Sequence, residues 1–113
     1  MLKPNFILTR PQMGENIGAT ARVMWNFGLD GLRLVAPRDG WPNKKAVTVS
    51  SGGGQVLDKC LVYPTVEEAV QDLNFVLATT IRTRKLSKRV LNPYQGMQLV
   101  RELVKNGEST GII

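Results

Sequence analysis

The sequence predicts an α/β fold, with a mostly parallel β-sheet that carries helices on both faces. Short apolar runs alternate along the chain with segments whose apolar residues recur at helical spacing, as expected when strands alternate with helices. The 113 residues, 42% of them hydrophobic, are enough for one modest core but not for two independent domains. We therefore expect a single domain over residues 1–113, with right-handed crossovers between its strands.

The first strand is predicted at Phe6-Ile7-Leu8. This apolar run is followed by Thr9-Arg10-Pro11, and the proline fixes the direction in which the chain leaves. The pattern is typical of a buried strand, which we expect to stop near Arg10.

The first helix is predicted between Asn16 and Gly28. Apolar residues recur there at helical spacing, Asn16 is a good N-cap, and Gly28 can end the helix in a left-handed conformation. Because Gly18 and Arg22 are four residues apart, they share a face, and helical side chains lean toward the N-terminus. We therefore expect Arg22 to pass over Gly18 into the pocket at the end of the first strand, where open α/β sheets usually hold ligands. In this interpretation Gly18 leaves space for a substrate.

The rest of the chain continues the alternation. Further strands are predicted at residues 32–36, 61–63, 75–78 and 109–113. A capping box at Thr65 opens a helix that runs to about Asp72, and Pro93 opens another through Lys105. Between them, Thr79 to Asn92 form a long basic loop. Residues 44–51 permit either a short helix or, at Val47-Thr48-Val49, a strand.

The composition limits the kinds of partner and catalytic site that this protein can have. A formal net charge of +6 and a pI near 9.9 favour an anionic partner such as RNA. With no histidine and a single cysteine, Cys60, the sequence excludes a histidine-based catalytic triad or zinc site and an internal disulfide. Cys60 is expected to be a buried small hydrophobe. We also expect no metal site, since no histidine is present. Because the N-terminus lacks a signal peptide and no apolar stretch approaches about 18 residues, we expect no membrane contact and a cytoplasmic protein.

Several motifs together resemble one family. Residues 16–22 have the pattern Asn-x-Gly-x-x-x-Arg, followed by Asn26-Phe27-Gly28 and by a Leu-x-Leu-Val-x-Pro strand at residues 32–37. This order resembles the first motif of the SpoU (SPOUT-class) tRNA/rRNA methyltransferases. Residues 36–42, 50–52 and 78–84 agree with the same family. Four segments in the right order are much more specific than the first motif alone.

The resemblance implies an S-adenosylmethionine-dependent RNA ribose 2′-O-methyltransferase, with Arg22 and Asn16 as catalytic residues. Methyl transfer needs the 2′-oxygen aligned with the methyl group and a stabilised negative charge as the hydroxyl proton leaves. Because an arginine stays protonated in proteins, Arg22 is expected to stabilise charge and position phosphate rather than accept the proton. The alternatives are that Arg22 only binds helix or sheet carbonyls and that Asn16 only caps its helix.

The cofactor contacts that the resemblance implies are Thr79, Thr80 and Ile81, which follow an apolar strand. The alternative is a plain strand end, because β-branched residues favour strands without any ligand.

The expected RNA-binding segment is the basic loop. Its cations are Arg82, Arg84, Lys85, Lys88 and Arg89, and no aromatic residue is interleaved with them, so phosphate contact is favoured over base stacking. Arg38, Lys44 and Lys45 are expected to extend the same surface. The alternative is a solvated loop.

The family resemblance also has implications for the fold and the oligomeric state. It favours a helix rather than a strand at residues 44–51, ended by Gly52-Gly53-Gly54. It also implies a homodimer. In this family the segments after the last strand build a C-terminal trefoil knot, which supplies most of the cofactor pocket and much of the dimer surface. Since the sequence ends as its last strand opens, we expect the N-terminal part of such an enzyme, inactive or weakly active alone. The alternatives are a non-catalytic RNA-binding remnant and an unrelated nucleotide-binding α/β module.

Overall fold

The computed structural model of the chain describes residues 2–80 and 89–113. The strands are β1 (Asn5–Thr9), β2 (Leu32–Val35), β3 (Leu61–Tyr63), β4 (Phe75–Leu77) and β5 (Thr110–Ile112). The helices are α1 (Gly14–Asn26), α2 (Lys44–Val49), α3 (Gly54–Asp58), α4 (Val66–Val70) and α5 (Pro93–Lys105), with a 3₁₀ turn at Ser51–Gly53. In the described residues all strand pairs are parallel, in the order β3-β2-β1-β5-β4. The prediction of an α/β fold is confirmed.

Two apolar clusters hold helices against opposite faces of the sheet. On one face, Ile17, Ala21 and Met24 of α1 pack with Leu32 and Leu34 of β2, and residues of α2 and α3 join this cluster. On the other face, Ile7 and Val35 pack with Ala69 of α4. The side chains of adjacent strand residues alternate between faces, which explains why Leu34 and Val35 belong to different clusters.

The last strand of the sequence lies inside the sheet. β5 pairs with β1 on one side and with β4 on the other. Gly96 of α5 packs against Leu77 of β4, so that a Cβ on this glycine would lie 2.8 Å from the Leu77 side chain. α5 begins with a complete capping box, in which Asn92 and Gln95 each accept a hydrogen bond from the other's backbone N–H.

The start of α1 differs from the prediction. The helix begins at Gly14, with Met13 as an N-cap that makes no side-chain hydrogen bond, so the prediction that Asn16 caps the helix was wrong. Gly14 is buried, and a Cβ on it would overlap the side-chain amide of Asn43, the N-cap of α2. Because α1 starts against the start of α2, a contact between helices sets this boundary instead of a local cap.

The glycine run at residues 52–54 also differs from the prediction. It does not end the ordered structure: Gly53 closes the 3₁₀ turn, and Gly54 begins α3. A Cβ on Gly53 would lie 2.7 Å from the Ala21 carbonyl carbon of α1. The run therefore brings the turn into backbone contact with α1, which a local sequence pattern does not reveal.

Candidate active site and nucleic-acid interface

The carboxyl ends of the parallel strands form the candidate site, because open parallel sheets bind ligands at this edge. Arg10 and Ala36 come directly after β1 and β2, and both have positive φ angles, 49° and 44°. Their N–H groups extend the sheet, Arg10 donating to the Val35 carbonyl at 2.7 Å and Ala36 to the Tyr63 carbonyl at 2.9 Å. Such backbone is uncommon for residues other than glycine and is concentrated at functional sites.

Two helices begin at the same edge. The side-chain oxygen of Asn43 accepts hydrogen bonds from the N–H groups of Lys45 at 2.9 Å and Ala46 at 3.4 Å, which starts α2. The start of α1 lies directly against this cap, through Gly14. The positive ends of two helices thus meet beside the ends of β1 and β2.

Arg22 is exposed on α1. In residues 2–80 and 89–113, no hydrogen bond or ion pair holds its guanidinium, so the alternative in which it binds helix or sheet carbonyls is not seen there. It lies eight residues after Gly14, about 12 Å along the helix axis. Its catalytic role stays a prediction.

Contrary to the prediction, Gly18 does not leave space for a substrate. A Cβ on this buried residue would overlap the Ala46 carbonyl of α2. The close approach of the α2 backbone therefore accounts for the glycine, and the expectation of substrate clearance was wrong.

Asn16 is exposed in the first turn of α1, where its carbonyl accepts the Thr20 hydroxyl at 2.8 Å. Arg22 follows Asn16 by six residues in the helix, so the two side chains point about 120° apart. The structure therefore does not bring these two predicted catalytic residues onto one face, and the role of Asn16 also stays a prediction.

The predicted cofactor residues follow β4 at the carboxyl edge. The Thr79 N–H and hydroxyl both donate to the Ile113 carbonyl, at 2.7 and 2.9 Å. The donors of Thr79 are thus used to join the ends of β4 and β5, which leaves its oxygens as acceptors. Thr80 is exposed beside it, and Ile81 lies outside the described residues.

Most of the predicted RNA-binding loop also lies outside the described residues, namely Arg82, Arg84, Lys85 and Lys88. Arg89 is described and exposed. It lines a groove of about 560 Å³ together with residues of α5 that the sequence analysis did not single out.

Of the cations expected to extend this surface, Lys44 and Lys45 are exposed at the start of α2. Arg38 forms an exposed pair with Asp39, with its Nε 3.0 Å from Oδ1. The hydrogen bond from Arg38 holds the pKa of Asp39 below its ordinary value, and the charge of Lys45 acts in the same direction. Asp39 therefore offsets part of the positive charge here.

One buried arginine was missed by the sequence analysis. Arg33, in the middle of β2, donates two hydrogen bonds to Asp72, at 2.6 and 2.9 Å, and one to the Ala69 carbonyl at 2.6 Å. Its guanidinium also lies 5.9 Å from the centre of the Tyr63 ring. The hydrogen bonds with Arg33 lower the pKa of Asp72, and the same bonds raise the pKa of Arg33. A cation inside an otherwise apolar strand was the signal that predicts such a partner.

The described residues offer few other reactive groups. Burial raises the pKa of the Cys60 thiol to about 11, so it is protonated at neutral pH. Across residues 2–80 and 89–113, there is no cluster of three or more side chains suited to hold a metal ion. In the same ranges no helix has the length and apolar character needed to span a bilayer.

Comparison with known proteins agrees with the geometry. The SpoU rRNA Methylase family matches residues 3–104. The uncharacterized tRNA/rRNA methyltransferase LasT of Escherichia coli K12 is 34% identical over 103 residues, which are 89% of this chain and 44% of LasT. The tRNA (cytidine/uridine/adenosine-2′-O-)-methyltransferase TrmJ of Pseudomonas aeruginosa is 38% identical over 103 residues, 90% of this chain and 40% of that protein.

Among solved structures, that of TrmJ from Z. mobilis ZM4 superposes with a TM-score of 0.90 and 53% identity, over 97% of this chain and 48% of that one. The chain thus spans less than half the length of these relatives. This match excludes the unrelated nucleotide-binding module. The carboxyl-edge geometry, the order of the motifs and the match over residues 3–104 lead to one conclusion: the chain belongs to the SpoU rRNA Methylase family.

Proposed function

We propose that this protein takes part in S-adenosylmethionine-dependent methylation of a ribose 2′-hydroxyl in RNA, with tRNA as the first candidate substrate. The observation that carries the proposal is Arg22, an exposed arginine with no partner in the described residues, within a chain 53% identical to TrmJ from Z. mobilis. The P. aeruginosa relative is named for the same reaction on tRNA.

The proposed chemistry is a direct displacement. The bond from the 2′-oxygen to the methyl carbon forms as the bond from carbon to sulfur breaks, and the hydroxyl proton passes to solvent. Arg22 supports this step by stabilising the negative charge that develops on the oxygen, since a guanidinium donates hydrogen bonds and does not take up the proton. Asn16 is proposed to orient the substrate.

S-adenosylmethionine, when bound, supplies the electrophilic methyl group. The described carboxyl edge fits one side of such a site, because Ala78, Thr79 and Thr80 are exposed there and the Thr79 oxygens remain acceptors. We propose Thr79, Thr80 and Ile81 as cofactor contacts, and the cations of residues 82–89 as contacts to RNA phosphates.

A second candidate is RNA binding without catalysis. A groove of about 560 Å³ lined by Arg89, Arg101 and Lys105 lies along α5, away from the carboxyl edge. Its cations can bind RNA phosphates whether or not the chain binds a cofactor.

The test compares Arg22→Ala and Arg22→Lys with Lys59→Ala, a cation on a different surface that pairs with Asp30. In the intact methyltransferase, we expect Arg22→Ala to lower the methylation rate by about 100-fold or more, because one charge-stabilising group has an effect of that order. Its affinity for S-adenosylmethionine is expected to change little, and Lys59→Ala should keep the full rate. Rates are measured by mass spectrometry of tRNA nucleosides and affinity by calorimetric titration.

Three results separate the candidates. An unchanged rate in Arg22→Ala removes Arg22 from the mechanism. If the unaltered protein binds tRNA but gives no saturable heat with S-adenosylmethionine and no methylation, RNA binding without catalysis is the better description. Partial rescue by Arg22→Lys indicates that charge matters more than the planar geometry of the guanidinium.

A further inference from the structure

The outer surface of α5 carries a positively charged groove. The groove has a volume of about 560 Å³. The residues that line it are Arg89, Gln95, Gln98, Leu99, Arg101, Glu102 and Lys105. On α5, these positions recur at intervals of three and four, so they form one face of the helix about 15 Å long.

The charges in this groove are unbalanced. Arg89, Arg101 and Lys105 face a single carboxylate, Glu102, and the described residues contain no ion pair between any of them. By contrast, Arg38 and Lys59 each have a carboxylate neighbour, Asp39 and Asp30. The described lining of the groove thus carries three cations and one carboxylate, which gives it a net positive charge.

The lining also indicates the kind of ligand. Pockets for small molecules are mostly apolar, whereas Leu99 is the one apolar residue among the described residues of this lining. None of those described residues is aromatic, so they offer no stacking surface. Cations and amide groups along an open helix face suit a chain of phosphates, which they contact without reading bases.

The position of Arg89 links this groove to the basic loop. Arg89 is the last cation of that loop, and it lines the groove together with Arg101 and Lys105, which are distant in sequence. Because β4 and β5 are parallel, α5 runs back from the carboxyl edge toward the opposite edge of the sheet. A strand of RNA that follows these cations therefore leads away from the candidate active site along α5.

We propose that the α5 groove binds the phosphate backbone of the RNA substrate, with Arg101 and Lys105 as contacts in addition to Arg89. This inference rests on the proposed function for the identity of the ligand. It adds a binding surface that lies outside the carboxyl edge, and it assigns that surface to affinity rather than to methyl transfer.

The test uses the full 113-residue chain. Arg101→Gln/Lys105→Gln removes two groove cations with a residue of similar helix propensity. Lys3→Gln/Lys59→Gln removes the same charge elsewhere and serves as the matched control. Dissociation constants for tRNA are measured by fluorescence anisotropy over a salt series, and urea unfolding verifies that all variants fold.

We expect the groove variant to bind about tenfold more weakly than the control at low salt. Its slope of log affinity against log salt should fall by about 1.4 to 1.8, because each lost phosphate contact changes the slope by about 0.7 to 0.9. A charge-reversal variant, Lys105→Glu, should weaken binding further.

Equal losses in the groove and control variants would mean that only net charge matters, and would overturn the inference. An unchanged slope in the groove variant, with tRNA still bound, would overturn it while leaving the proposed methylation intact. Binding that depends on the groove but occurs without methylation would support this inference and would favour the second candidate function, RNA binding without catalysis. If the unaltered chain does not bind tRNA, both proposals fail.

Discussion

At the scale of single residues, two arginines differ in burial, and this difference indicates that one has a structural role and the other is available to a ligand. Arg33 is 7% exposed and has all its contacts inside the fold, to Asp72, Ala69 and Tyr63. Arg22 is exposed and has no such partner in the described residues. Burying a charge costs free energy unless the charge is paired, so these partners of Arg33 are required for the protein to fold stably. Arg22 has no structural requirement of this kind, which leaves its charge available to a ligand.

The Arg33–Asp72 pair predicts a dependence of stability on pH. Hydrogen bonding to Arg33 lowers the pKa of Asp72 in the folded protein. The stabilisation is therefore present above the unfolded pKa of about 4 and is lost as the pH falls through the lower, folded pKa. Asp72→Asn should reduce the free energy of unfolding at pH 7 by about 1 to 2 kcal/mol, a range kept low because Asp72 itself is largely exposed.

Urea unfolding between pH 7 and pH 2 measures this effect. As the pH falls, the free energy of unfolding of the Asp72→Asn variant should decrease less than that of the unaltered protein. Asp39→Asn is the matched control, since the Arg38–Asp39 pair is exposed on both sides and should contribute little. Identical pH profiles for the Asp72→Asn variant and the unaltered protein would contradict this account.

At the scale of elements, close backbone contacts position the helices around the candidate site. Gly18 lets the Ala46 carbonyl of α2 approach α1, and Gly53 lets the 3₁₀ turn approach Ala21. These contacts hold α2 against α1, and with it the second helix start at the carboxyl edge. The motif Asn-x-Gly-x-x-x-Arg therefore contains at least one position, Gly18, that is explained by packing.

We predict that Gly18→Ala destabilises the fold by about 1 to 3 kcal/mol, because the new methyl group forces α1 and α2 apart. Gly54→Ala is the control: it also lies in a helix, but a Cβ there meets nothing within 4 Å. That variant should be neutral or more stable by up to about 1 kcal/mol, since alanine favours helices. Thermal and urea unfolding compare the two, and equal stability would mean that α2 can shift at no cost.

At the scale of the whole molecule, β5 links β4 to the other strands of the sheet. β5 joins β1 to β4, and Ser109 just before it exchanges hydrogen bonds with Asn74. Without β5, the edge strand β4 has no partner in the described residues. The order of the sheet therefore depends on residues that are far apart in sequence.

Deleting residues 109–113 should abolish cooperative folding, because it removes an interior strand from a five-stranded sheet. Deleting residues 1–3, which precede β1, is the matched control and should leave a cooperative transition. Circular dichroism during thermal unfolding and the dispersion of NMR amide signals distinguish the two. A sharp transition in the first variant would show that the remaining strands form a stable sheet alone.

Homodimer formation, implied by the family resemblance, stays a prediction for this chain. So does the cofactor contact at Ile81, which lies outside the described residues. The first depends on contacts with a second protein chain, and the second depends on contacts with the cofactor.

Local sequence patterns were enough to predict the alternation of strands and helices, and the starts of α4 after Thr65 and of α5 at Pro93. They also predicted the left-handed conformation of Gly28, whose φ angle is 71°. The order of short motifs was enough to predict the family. Tertiary structure decided where α1 begins, why Gly18 is a glycine, what Arg33 binds and which α5 side chains join Arg89 in one groove. These features arise from contacts between residues far apart in the chain, and the energy of such contacts depends on distances that no local pattern specifies.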